Sequence, residues 1–187
     1  MGRFYGILYK ESGSNSSDKE AVMLAVNDTV HYGMDGVCQV TGIVTKKWGE
    51  SNRDFYELHP CFRKHTVIYL PVDNEQLLAR VRPVLSREEI LSALRSSETA
   101  VSVWVEGDTA RRDAFQAIIR SGDHLQLVRL IKTLYQRRLD MEEDGRKLRS
   151  ADSSFLKDAE RLLHEEFAFV LGIEPAEVPA FIKKELG

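Results

Sequence analysis

Four side chains early in the sequence are of the types that hold zinc: Cys38, His59, Cys61 and His65. Zinc takes thiolate and imidazole donors in a tetrahedron, and structural sites draw them in closely spaced pairs. No Cys-x-x-Cys pair occurs here. The four read better as members of a small β fold with a buried cysteine, so no metal and no other cofactor is assigned. Trp104 is the second candidate. It stands in "AVSVWVEGDTARR", just before a helical pattern whose first turns carry Arg111 and Arg112. An apolar ring beside guanidinium groups can wedge at the DNA minor groove while the arginines hold phosphates. The competing reading makes Trp104 a packing residue where two parts of the chain meet. Trp48, in the polar run "KKWGESNRD", suits a surface anchor for a protein partner or a cover over the open end of a β-barrel.

Chemistry of the catalytic kind finds little support. The "GMDG" run at 33–36 lacks the Gly-Lys-Ser/Thr ending and the following helix of a phosphate loop. No serine or cysteine sits in a recognisable nucleophile elbow. Glu142, Glu143 and Asp144 fall at a predicted helix end, where acidic groups oppose the helix dipole and mark solvent exposure. No catalytic residue is assigned, and the enzyme class is set aside.

The elements that must position these residues change character near residue 86. Before it the segments are short and β-like. Residues 29–33 and 36–47 form a hairpin about Gly33 and Gly36, followed by strands over 53–59, 65–72 and 79–84. In the fourth, Val67, Tyr69 and Val72 are the inward candidates. The "KKWGESNRD" run is expected to be a loop between the second and third strands. Such a pattern predicts a small Tudor- or SH3-like β-barrel, and an edge left open on such a module can pair with a partner's strand. After residue 86 the spacing is helical. Ser86 and Glu89 form a capping box; a helix behind Asp108 ends at Gly122; Asp123 caps the next, with Leu127, Ile131, Leu134 and Tyr135 along one face. A long amphipathic stretch with Phe155, Ala159, Leu162, Leu163, Phe167 and Val170 ends at Gly172, and Pro175 opens a last short helix. The expected fold is α+β: a β-barrel over 23–85 followed by a compact helical bundle over 86–187. Residues 1–22, centred on "ESGSNSSDKE", are expected to be a flexible extension, with Met23 a candidate functional start.

Composition narrows the class. The 187 residues are 43% hydrophobic and 29% charged, with a net charge of −3. No apolar run approaches the roughly 18–20 residues of a membrane span, and the start lacks the apolar stretch of a signal peptide. Two cysteines are too few for a disulfide framework, which points to a reducing cytoplasmic setting. The charge is uneven. Between 111 and 149, ten basic residues face six acidic ones. A locally basic surface on an acidic protein suits a DNA contact that stays weak until something else positions it. Arg138, Lys147 and Arg149 are the further phosphate candidates within it, and a solvated helix face is the alternative.

The order "VNDTVHYGMDGVCQVTGI", "YLPVDN", "VRPVLSREE", then "LVRLIKTLYQRR" and "ADSSFLKDAERLLHEEFAFVL", resembles the CarD/CdnL family of bacterial transcription regulators over about residues 23–172. The family's β module is shared with transcription-repair coupling factor. Asp28, Val30, Tyr32, Gly36 and Val37 match its opening pattern, while Asn27 replaces a glycine, His31 a valine, Gly33 a proline and Cys38 a turn glycine. The resemblance implies a monomeric protein whose β module docks on the RNA polymerase β subunit, edge strand to edge strand. It further implies that the helical half stabilises the open complex at promoter DNA. Lys46 falls at a basic position of the polymerase contact, Tyr69 replaces another, and Trp48 lies beside them. Trp104 is the candidate for the family's DNA-wedging tryptophan, with Arg111 and Arg112 near it. A polymerase adaptor whose helices bind a second protein instead of DNA is the rival reading.

Overall fold

The computed structural model describes residues 23–97 and 101–186; the extension expected over 1–22 and the proposed start at Met23 therefore concern residues outside or at the edge of this range. Contacts divide the chain into two units. One is a sheet unit running up to Tyr32 and resuming over Val37–Val84. The other is a helical unit from Leu85 onward, which also claims Gly33–Gly36.

In the sheet unit, β1 (Thr29–Tyr32), β2 (Gly36–Trp48), β3 (Ser51–Pro60), β4 (Ile68–Pro71) and β5 (Val81–Pro83) form one antiparallel sheet in the order β4-β3-β2-β1-β5. The chain enters through a turn in which Asn27 has a φ of 76°. Asparagine tolerates that region better than most residues. Asp28 fixes the turn: its carboxylate accepts from the Ala25 N–H at 2.8 Å, and its carbonyl accepts from the Val40 N–H at 2.9 Å. Alternation along the strands sends Val30, Tyr32, Cys38, Val40, Leu58 and Leu70 to one face, where they form the core. His31, which stands where the family has valine, is also buried.

Several expectations need correction. The barrel is not closed: among the described residues β4 and β5 remain the two edges of an open sheet. Both are short, and Pro71 and Pro83, which lack the N–H a ladder needs, end them. The expected loop around Trp48 is mostly strand. The β2–β3 ladder runs in step to Trp48 opposite Ser51, leaving Gly49 and Glu50 as the connection, because a two-residue turn suffices for a hairpin. Val67 and Tyr69 do not point inward. Leu70 pairs with Tyr56 and Ile68 with Leu58 on the core side, so Tyr69, opposite Glu57, stands on the outer face. A short helix, α1 (Glu75–Leu78), was not foreseen; Asn74 caps it by accepting the Leu77 N–H at 3.1 Å, and Leu78 joins the core.

The helical unit holds α2 (Arg87–Ser97), α3 (Asp108–Ser121), α4 (His124–Glu143), α5 (Ser150–Leu171) and α6 (Val178–Leu186). The capping box is present: the Ser86 N–H donates to Glu89 Oε2 at 2.7 Å and the Glu89 N–H to Ser86 Oγ at 3.2 Å. Asp123 caps α4, accepting from the Gln126 N–H at 2.8 Å. Asp108 is the first residue of α3, with Gly107 at the cap position instead. Phe115, Leu127, Leu130, Leu134 and Leu162 are almost entirely excluded from solvent, each contributing about 1.5–3 kcal/mol by burial. The inward stripe of α4 passes through Leu130, and Tyr135 sits at its rim, donating its hydroxyl to Glu160 at 2.8 Å.

Gly33 and Gly36 belong here for steric reasons. A Cβ on Gly33 would lie 2.9 Å from the Arg120 carbonyl oxygen, and one on Gly36 would lie 3.0 Å from Glu165 Oε2. Both have positive φ as well, so any larger residue would be strained at either position; at Gly33 it would also collide with backbone, whereas at Gly36 the Glu165 side chain would have to shift slightly. Arg161 braces the same turn, pairing with Glu165 at 3.2 Å and donating to the Met34 carbonyl at 3.3 Å. Glu166, fully buried, accepts the Leu85 N–H at 3.0 Å. Among the described residues no helix is long and apolar enough to cross a membrane.

Candidate docking surfaces

The outer face of the sheet brings together the three residues expected to meet polymerase. Period-two alternation places Lys46 and Trp48 of β2, Arg53, Phe55 and Glu57 of β3, and Tyr69 of β4 on that face. Phe55 is the pivot. It is only 3% exposed although it points away from the core, because Trp48 tilts against it at 5.9 Å and Tyr69 meets it edge-on at 6.5 Å between ring centroids. Lys46 Nζ stands 3.7 Å from the centre of the Tyr69 ring, an exposed cation–π contact. Trp48 keeps 62% of its surface exposed. Polar pairs flank the aromatic group: Arg53 with Asp73 at 2.6 Å, and Glu57 with His59 at 3.1 Å and with the Thr41 hydroxyl at 3.0 Å. Glu57 is held below the usual carboxylate range chiefly by the His59 and Thr41 hydrogen bonds. The face is an aromatic platform beside the open edge of β4, the form in which a sheet offers both side-chain anchors and unpaired backbone to another protein.

Cys38 lies inside the apolar core, while Cys61 is exposed. Among the described residues no three of His, Cys, Asp and Glu come together to hold a metal ion.

On the helical unit Trp104 is the centre of a second cluster. Its ring packs edge-on against Phe115 at 6.2 Å, which in turn meets Phe155 at 5.7 Å. The indole N–H donates to Glu106 Oε1 at 3.1 Å. Two guanidinium groups lie over the ring: Arg111 with Cζ at 4.5 Å and Arg137 with Cζ at 5.0 Å. The half-buried ring forms one wall of a cleft of about 300 Å³ whose other walls include Ser102, Lys132, Thr133 and Arg137.

The expected phosphate ligands divide on inspection. Arg112 is exposed on α3, and Lys147 is exposed beyond α4. Arg149 is exposed and paired with Asp108. Arg138 lies over the Tyr135 ring at 4.3 Å and reaches Glu142 at 3.9 Å, so its charge is partly spoken for. Arg111 is a correction. Its side chain is 6% exposed and bound to Asp108 at 2.7 Å and to Asp152 at 3.4 Å, so no phosphate reaches it. Asp108 is held below the usual carboxylate range by Arg111 first and Arg149 second.

Phe55, Glu106, Lys132 and Arg137 were missed as site residues. Arg137 becomes a site residue through a long-range contact that the sequence does not show. Thr133 accepts the Val103 N–H at 3.0 Å, and a residue four positions on lies one turn further along the same helix side. Arg137 therefore reaches the segment that carries Trp104, whereas Arg138 turns toward Tyr135. Phe55 gave no signal, since an aromatic in a strand reads as core until its register is known.

An open-edged sheet with an aromatic–cation face has the form of a protein-docking module, and a helical unit with a tryptophan set among arginines follows it. The family models agree with this division: one described as the CarD-like/TRCF RID domain matches residues 24–85, and one described as the CarD C-terminal domain matches residues 89–183. The chain belongs to the CarD family. The RID domain is an RNA polymerase β-subunit interaction domain, which makes this protein an RNA polymerase-interacting regulator of transcription. No curated protein matches the sequence.

Proposed function

We propose that the protein holds RNA polymerase through its sheet unit and promoter DNA through its helical unit, and that it thereby lengthens the life of the open promoter complex. The carrying observation is Trp104, a half-buried ring whose N–H is already used by Glu106 and which lies near two guanidinium groups. With its one donor engaged, such a ring has an apolar surface to offer a base step, which is the chemistry of a minor-groove wedge. Arg112, Arg137, Lys147 and Arg149 supply positive charge for phosphates around it, and Arg138 adds part of its own. On the sheet unit, Lys46, Trp48 and Tyr69 meet the β subunit while the β4 edge adds to one of its strands.

No bond is made or broken. A protein that binds the open complex better than the closed one shifts that equilibrium, by about 1.4 kcal/mol for each tenfold difference in affinity. The polymerase contact raises the effective concentration of the helical unit at the promoter, so the DNA contact works although it is weak alone. Open-complex lifetime on a promoter fragment, measured with and without the protein at two salt concentrations, tests this. A longer lifetime whose gain shrinks at high salt is expected. An unchanged lifetime with polymerase still bound would make the helical unit a platform for a second protein.

A further inference from the structure

We propose that Arg111, which does not itself touch DNA, is a positioning residue for Trp104; this rests on the wedge reading above. Each nitrogen of its guanidinium group is tied to a different anchor. Nε donates to Asp152 on α5 at 3.4 Å, Nη1 to the Val105 carbonyl at 3.4 Å and Nη2 to Asp108 at 2.7 Å. Asp152 is 2% exposed and Asp108 is in turn held by Arg149. The plane of the group is thereby fixed, and the Trp104 ring lies against it at 4.5 Å. Two of the three anchors, Val105 and Asp108, belong to the segment that runs from Trp104 into α3. The same side chain therefore holds both the backbone that carries the ring and the ring itself. Phe115 behind and Glu106 at the indole nitrogen complete the seat. What Arg111 contributes is geometry, and a planar fork supplies it in a way a lysine ammonium cannot.

Arg111→Lys is the probe, since it keeps the charge and loses the fork. In the first arm Trp48→Phe leaves Trp104 as the sole tryptophan, and acrylamide quenching is measured on the DNA-less protein well below its melting temperature. Arg111→Lys should raise the quenching constant of Trp104; an unchanged constant overturns the proposal. In the second arm, with Trp48 intact, open-complex lifetime is measured for Arg111→Lys, Trp104→Ala and the double variant. Arg111→Lys should shorten the lifetime roughly tenfold, and the double variant should match Trp104→Ala within about twofold, the scatter expected where effects are not independent. Effects that multiply would return Arg111 to a separate role and overturn the proposal. Should Arg111→Lys fold poorly, Asp108→Asn loosens the same fork from an exposed position and should move the quenching constant the same way. A Trp104→Ala variant with normal lifetime would refute the DNA reading, while the quenching arm still decides whether Arg111 positions the ring.

Discussion

Both units carry a tryptophan, a buried phenylalanine beneath it and a cation over a ring, yet the two clusters are built on different footings. On the sheet the phenylalanine is Phe55, outside the apolar core cluster, and the cation is the exposed Lys46, lying over Tyr69. On the helical unit the phenylalanine is Phe115, inside the core, and the nearer cation is the buried Arg111, held by two carboxylates. The first arrangement is a surface whose ammonium and indole keep freedom to adjust to a protein partner. The second fixes its ring before any partner arrives. A contact that must deform DNA loses effectiveness when its wedge is mobile, because each freely rotating side chain must be ordered on binding. A protein platform tolerates small rearrangements of its side chains. The difference in footing matches the difference in proposed partner.

Removing the two phenylalanines should separate the clusters most sharply. Phe115→Ala should cost about 3–5 kcal/mol, the range for a buried ring whose site cannot collapse. Phe55→Ala should fall at or below the low end of that range, about 3 kcal/mol, because Trp48 and Tyr69 can settle into the space. Denaturant unfolding of both variants checks this, and equal losses would erase the distinction between a core ring and a platform ring. Next comes Asp152→Ala. It leaves the buried Arg111 with Asp108 alone and should destabilise the protein by roughly 3 kcal/mol, the lower part of the range for a broken buried pair. Loss under 1 kcal/mol would mean that the guanidinium is solvated and the helical cluster is no more rigid than the sheet.

Lys46→Glu should act on binding and spare the fold. Its stability should change by less than about 0.5 kcal/mol, as for other exposed positions, while association with the polymerase β subunit slows and its salt dependence changes. Calorimetry of the variant beside a binding titration reads both. Normal binding would shift the anchor to Trp48 and Tyr69. The smallest effect belongs to Arg112→Ala: a stability change within about 0.5 kcal/mol, and a salt slope of promoter retention lower by about one phosphate contact.

Much of this division was legible in the chain. Alternation gave five strands and helical spacing gave the bundle, and the caps at Ser86 and Asp123 were readable because a capping side chain acts within three residues of itself. Trp104 stood out as a site candidate by type and neighbourhood, and Lys46 through the family resemblance. What stayed hidden depended on long-range register. A one-residue difference in the phase of β4 turned Tyr69 outward, and the short edges at Pro71 and Pro83 left the sheet open. Arg111 and Arg112 are indistinguishable as neighbours in sequence. Only the position of Asp152, 41 residues on, makes one a buried brace and leaves the other in solvent. The Gly33–Gly36 turn looked like an ordinary hairpin turn, and its close approach to Arg120 and Glu165 has no local trace.

The most direct measurement is made on Trp104→Ala, with open-complex lifetime, polymerase affinity and melting temperature determined on the same preparation. A wedge that is half-buried and seated on Phe115 predicts a much shortened lifetime, unchanged affinity for polymerase and a melting temperature lowered by a few degrees at most. A protein that melts far lower, with lifetime and polymerase affinity lost together, would make Trp104 a packing residue and contradict the DNA-wedging role.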